Sequence, residues 1–146
     1  MPQGQCKLCL NTRELQDSHF MPAALYRATR NATAPNPNPA VITSRGTVQT
    51  SQQMKDFLLC KDCEDLFNNH GEKYVMGQVN RSGKFPLLET LRKATPTRIT
   101  GGFHWYSIVD VLSVDRDKLG YFALSVFWRA AVHVWKKHEQ IGRAHV

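Results

Sequence analysis

An α+β fold built around a metal site is what the sequence predicts, and three observations carry that reading. The four cysteines form two pairs, Cys6-Lys7-Leu8-Cys9 and Cys60-Lys61-Asp62-Cys63, each with a two-residue gap. Short β-prone runs lie before the second pair, and helical composition begins at it. A second stretch of helical composition, residues 117–138, closes most of the remaining chain.

A two-residue gap lets both thiolates of a pair grip one ion from a tight turn, or knuckle. Two such pairs supply the four sulfurs of a closed tetrahedral zinc site. The charge balance is +7 with a sequence pI of about 9.5, which favours a polyanionic partner, and nucleic acid is the commonest. The N-terminal residues carry neither the basic nor the apolar region of a signal peptide. No apolar run reaches the ~18 residues of a membrane span. A cytoplasmic protein is therefore expected, and in a reducing compartment paired CxxC motifs read as metal ligands rather than disulfides. A CxxC oxidoreductase fits less well, because two copies are present and neither sits in a βαβ pattern.

Along the chain, residues 5–20 read as a knuckle followed by a short hairpin. Pro22 suits a first helical turn, and Ala23 to Ala28 has helical composition. Pro35, Pro37 and Pro39 mark a turn-rich loop. Val41-Ile42-Thr43 and Thr47-Val48-Gln49-Thr50 predict a hairpin around Arg45-Gly46. Phe57-Leu58-Leu59 leads into the second knuckle. From Asp62 the pattern is helical through Leu66, Phe67, Val75 and Met76, with Asn68-Asn69-His70-Gly71 marking a break or kink. Phe85 to Arg92 reads as a short helix or an extended crossing segment, and Trp105 to Val114 as strand or helix. Residues 117–138 make the strongest helix, capped by Asp115 or Asp117, with Lys136-Lys137-His138 suiting its C-terminal dipole. Its apolar residues nearly encircle it, so a homodimer partner or a missing C-terminal region is expected to cover it. Trp105, Phe127, Trp128 and Trp135 are expected in a core.

Three segments follow: a zinc domain over residues 1–80, a truncated helical extension over 81–140, and a tail over 141–146. The tail, Ile141-Gly142-Arg143-Ala144-His145-Val146, matches one reading frame of a widely used sequencing adapter and is expected to be an artefact.

A knuckle, a hairpin and a second knuckle on a helix N-terminus together make the treble-clef arrangement. The helix dipole favours thiolate charge at that end. Within this frame Cys6-x-x-Cys9, Ser18-His19-x-x-Pro22 and Leu58-Leu59-Cys60-x-x-Cys63-Glu64 resemble the ββα-metal, or HNH, endonucleases that carry a four-cysteine zinc site. The likeness covers roughly residues 5–75. A weaker one, around Phe127-Trp128-Arg129, links the C-terminal segment to bacterial HNH-like proteins of unassigned role.

The resemblance implies a DNA phosphodiesterase with structural Zn²⁺ and a catalytic Mg²⁺ or Mn²⁺. Such hydrolysis needs a base to take a proton from water, as a neutral imidazole can near pH 7, and a divalent cation to stabilise the phosphorane and the departing 3′-oxygen. His19 occupies the family's base position. Glu64, directly after the last cysteine, stands where the family places an Asn or His ligand to the catalytic metal. Ser18 stands where the family usually has Asp, with Asp17 beside it, so Asp17, Ser18 and Glu64 form the candidate ligand set. The family's middle Asn has no clear counterpart; Gln53, Asn68 and Asn69 are the nearest residues. Arg27, Arg45, Lys55, Lys61 and Lys73 are expected to contact phosphates. The rival reading is a zinc-stabilised nucleic-acid-binding or protein-interaction module without catalysis.

Overall fold

The computed structural model describes residues 1–30, 33–43, 46–81, 83–107 and 109–135. The expectations for Arg45, Lys136-Lys137-His138 and the tail 141–146 lie outside the described residues. The fold is mixed α+β. Its described residues gather into two compact units, one formed by Met1–Lys61 with the stretch from Val126, the other by Asp62–Ser125. The boundary expected at residue 80 falls inside the second of these.

The first unit is built on a three-stranded antiparallel sheet of β1 (Gln3–Gln5), β2 (Thr12–His19) and β5 (Lys55–Cys60), in the order β1-β2-β5. The first knuckle is the turn that joins β1 to β2, so the hairpin encloses the knuckle instead of following it. Leu10 N–H closes the turn on Cys6 C=O (2.9 Å), and Leu10 itself takes a left-handed backbone with φ 63°. A leucine in that region carries steric strain that glycine would not.

Between β2 and β5 the register slips. Gln16 pairs with Leu59 and Asp17 with Phe57, leaving Leu58 as the extra residue of a bulge. Its consequence is local and specific. Leu58, Leu59 and Cys60 are all buried, although simple alternation would bury only every second residue. Leu58 C=O accepts from Lys7 N–H (3.1 Å), which ties the first knuckle to the strand that leads into the second.

The connection from β2 to β5 carries α1 (Ala23–Ala28) and the hairpin β3 (Ala40–Thr43) with β4 (Gly46–Gln49), the latter at the position its sequence indicated. The C-terminal part of the unit returns to the sheet edge. His133 Nε2 lies 3.0 Å from Asp56 Oδ2, and Trp135 packs on Phe20 with ring centroids 5.3 Å apart.

The second unit is helical. β5 runs straight into α2 (Lys61–Phe67), which continues through a π-helical turn, Asn68–Glu72, into α3 (Lys73–Val79). The break expected at Asn68-Asn69-His70-Gly71 is thus a widened turn in a continuous helical path. Gly71 is buried there, and a β-carbon on it would meet the backbone N and Cα of Phe122 at 3.0 Å. Phe67 and His70 pack their rings on Tyr121, with centroids 6.0 and 5.6 Å away. Backbone atoms cannot yield as a flexible side chain can. Gly71→Ala is therefore expected to cost about 1–3 kcal/mol, the range for overpacking a tight core. A denaturant titration checks this, and an unchanged midpoint would contradict the close approach.

α4 (Pro86–Lys93) has proline in its first turn, as that position favours. A hairpin follows, β6 (Arg98–Thr100) with β7 (Phe103–Trp105). α5 (Arg116–Val132) comes last and contributes its final turns to the first unit. Asp115 caps α5: its Oδ1 accepts from Lys118 N–H at 3.0 Å, and this hydrogen bond and the Lys118 ammonium lower the carboxyl's pKa.

α5 ends at Val132, not at residue 138. There the Arg129 C=O accepts from the Trp135 indole N–H at 2.9 Å, while Asp56 holds the His133 ring. Two of the aromatics expected in a core are exposed, Trp105 at 54% and Phe127 at 71%. No described helix is long and apolar enough to cross a membrane.

Candidate metal centre and a separate polar pocket

The sulfurs of Cys6, Cys9, Cys60 and Cys63 all lie within 4.8 Å of one another. Cys9 Sγ and Cys60 Sγ are 3.9 Å apart. A tetrahedron of Zn–S bonds of ~2.3 Å has edges of about 3.8 Å, so this donor set could hold a metal ion such as zinc. The elements explain the convergence. Cys6 and Cys9 flank the β1–β2 turn, Cys60 ends β5, and Cys63 lies in the first turn of α2. Cys60 N–H points at Cys6 Sγ (3.4 Å).

Burial alone would push the Cys6 thiol up. The backbone N–H groups of Cys60, Cys9 and Leu8, with the Cys9 thiol, more than offset it and bring the pKa down to about 6. A thiolate at Cys6 is the form a metal requires. Four sulfurs complete a tetrahedral shell and leave no position for water, which suits a structural ion and not a catalytic one.

The strand β2 divides the Asp17-Ser18-His19 triplet between two faces. Ser18 points into the core and is 2% exposed. Its hydroxyl accepts from Leu59 N–H (3.2 Å) and donates to Gln16 C=O (3.3 Å), bracing the bulge. Asp17 and His19, two residues apart, share the opposite face. His19 pairs in register with Lys55, and the Lys55 ammonium reaches diagonally to the Asp17 carboxylate. His19 and Lys55 line an open pocket of about 390 Å³ together with Ser51, Gln52 and Gln53. Every side chain in that lining is polar.

Of the residues anticipated from sequence, the pocket therefore gathers His19, Lys55 and Gln53, with Asp17 joined to it through Lys55. Glu64 sits in the first turn of α2, half-buried, where the helix dipole favours a carboxylate. Arg27 in α1, Lys61 at the start of α2 and Lys73 at the start of α3 are exposed on separate elements. Sequence reasoning missed the Ser51-Gln52 segment of the lining. It lies in an irregular stretch before β5, and nothing in its composition marks it.

The placement of Ser18 has a testable consequence. Ser18→Asp would bury a carboxylate against the bulge. A loss of roughly 3 kcal/mol or more in unfolding free energy is expected, because burying a charge without a partner costs far more than burying a hydroxyl. Stability within 1 kcal/mol of wild type would show that Ser18 can turn outward.

No known protein family, curated protein or solved structure matches this chain.

Proposed function

We propose that this chain is a zinc-stabilised, HNH-type nuclease that hydrolyses DNA phosphodiesters, with residues 3–79 forming a treble-clef ββα core. One observation carries the reading: the antiparallel pair β2–β5 runs directly into α2, and β2 ends in a histidine that lines an open polar pocket. This order supports a ββα reading with His19 as the base, and a four-sulfur cluster lies at the strand–helix junction. The basic charge of the chain fits a polyanionic substrate.

In this mechanism the His19 imidazole takes a proton from water, and the water oxygen attacks phosphorus. Lys55, facing His19 across the strand pair, places an ammonium where a phosphate oxygen can accept from it. Asp17 holds that ammonium in place. Ser18 is engaged with the backbone, so of the candidate ligands near His19 we assign Asp17 as the one that would help to hold Mg²⁺ or Mn²⁺, through the hard oxygen donor such ions prefer. The cation's contribution when bound is charge stabilisation of the phosphorane and of the departing 3′-oxygen. The proton taken by His19 returns to solvent, and the leaving alkoxide acquires one from water.

A second reading, a zinc-stabilised nucleic-acid-binding module without catalysis, is favoured by the Asp17–Lys55 ion pair, which engages a carboxylate on the same strand face as His19. A plasmid-cleavage assay with Mg²⁺, Mn²⁺ or EDTA separates the two. Metal-dependent nicking supports the nuclease, and retained DNA binding without nicking supports the module.

A further inference from the structure

We infer that the hairpin β6–β7 is a single-stranded nucleic-acid clamp, in which Phe103 and Trp105 stack on an unpaired base and Arg98 binds the adjacent phosphate. This inference rests on the nucleic-acid reading above but uses a different part of the molecule.

The hairpin is built to stand out from its unit. Its two-residue loop is Gly101-Gly102, both with positive φ (57° and 80°), the backbone a tight type I′ turn needs. Thr97 ties the base of the ribbon to Trp105, its N–H and hydroxyl both donating to Trp105 C=O at 2.7 and 3.1 Å. All six strand residues are exposed. Two strands of three residues cannot bury their aromatic groups on each other, so the ribbon displays them.

Register sorts the side chains. Arg98 opposes Trp105 and Thr100 opposes Phe103, so these four share one face, while Ile99 and His104 occupy the other. The Arg98 guanidinium lies over the Trp105 ring, 5.3 Å from its centroid. That contact orients the indole and holds a cation over one of its faces. Phe103 and Trp105 are two residues apart on one strand. At ~3.3 Å of rise per residue their attachment points are separated by about 6.7 Å, close to two stacking distances of ~3.4 Å. One base fits between two rings at that spacing.

Charge identifies the occupant. From residue 90 to residue 109 the chain has no Asp or Glu, but it has Arg92, Lys93, Arg98 and His104. Arg92 and Lys93 end α4, immediately before the ribbon, and are exposed. An exposed aromatic face within an acid-free basic stretch matches the pairing of stacking platform and phosphate contact that single strands use. A protein partner recognised by hydrophobic burial would not require this charge, and an intact duplex offers no free base faces.

The test uses the full chain and fluorescein-labelled oligonucleotides, a 12-mer oligothymidine and a mixed-sequence 12-base-pair duplex. Trp105→Ala and Phe103→Ala are each expected to weaken oligothymidine binding 5- to 150-fold, the span of one base–aromatic stack, with less than a two-fold effect on the duplex. Arg98→Ala should lower the salt slope for oligothymidine by about one phosphate's worth. Zinc content and thermal midpoint, measured on each variant, confirm folding, and Trp105→Phe should recover most of the affinity. Unchanged oligothymidine affinity in folded variants, or equal losses on duplex, overturns the clamp while leaving the nuclease reading intact. A wild-type chain that binds neither oligonucleotide and cuts no plasmid overturns both. A chain that cuts plasmid but does not bind oligothymidine overturns the clamp alone.

Discussion

Replacing any one of Cys6, Cys9, Cys60 or Cys63 by serine is expected to abolish cooperative folding of the β1-β2-β5 sheet and to reduce bound zinc from one ion per chain to a small fraction. Free energies of structural zinc binding run to roughly 10–16 kcal/mol, and a typical domain is stable by only about 5–15 kcal/mol. Binding energy of that size is folding energy. The sulfurs join residues 51 positions apart, and the sheet between them is small. Much of its buried core is the cluster itself with its neighbours: Cys6, Cys60, Leu15, Leu58 and Leu59. Losing one thiolate opens the shell and leaves the remaining three without the full coordination that fixed the cation balancing their charge. Elemental analysis, far-UV circular dichroism and a chelator titration check the expectation together. Wild-type protein that carries no metal and still unfolds cooperatively, at a midpoint unchanged by a strong chelator, would refute it.

The cysteine cluster was legible in the sequence because each pair is local and only their meeting is long-range. The β3–β4 hairpin and the Asp115 cap were legible for the same reason, since turn and cap chemistry lies in neighbouring residues. What was not legible depends on contacts that spacing does not encode. The bulge at Leu58 is a property of the pairing of β2 with β5, and it is what braces Ser18 inward and brings Lys55 to Asp17. From sequence Ser18 looked like a departure from a ligand position; in the fold its hydroxyl serves the backbone. Asn68-Asn69-His70-Gly71 was read as a break or kink, yet the helical path continues through it as a widened turn, with Phe122 backbone packed close to Gly71. Trp105 was assigned to a core on composition alone. The Gly101-Gly102 turn placed it on a two-stranded ribbon with too little surface to cover it. The end of α5 was set six residues late, because the contacts of His133 with Asp56 and of the Trp135 indole with Arg129 C=O are long-range or side-chain contacts that periodicity does not reveal.

His19→Ala is expected to lower the rate of Mg²⁺- or Mn²⁺-dependent plasmid nicking by about 10²- to 10⁴-fold, the usual contribution of a positioned general base. The side chain lies at the end of β2 and lines an open pocket, so its removal leaves the buried core untouched. Zinc content, thermal midpoint and DNA affinity should therefore match wild type. Lys55→Ala should reduce the rate less steeply, since a cross-strand ammonium stabilises charge without moving the proton, and it should also release Asp17. If Asp17 holds the divalent ion, that release lowers the Mn²⁺ concentration needed for half-maximal nicking, whereas loss of a phosphate contact alone leaves that concentration unchanged. A His19→Ala variant that nicks as fast as wild type would remove His19 from the mechanism. Wild-type protein that binds plasmid but nicks it with neither ion would end the nuclease reading, and the zinc-stabilised binding module would take its place.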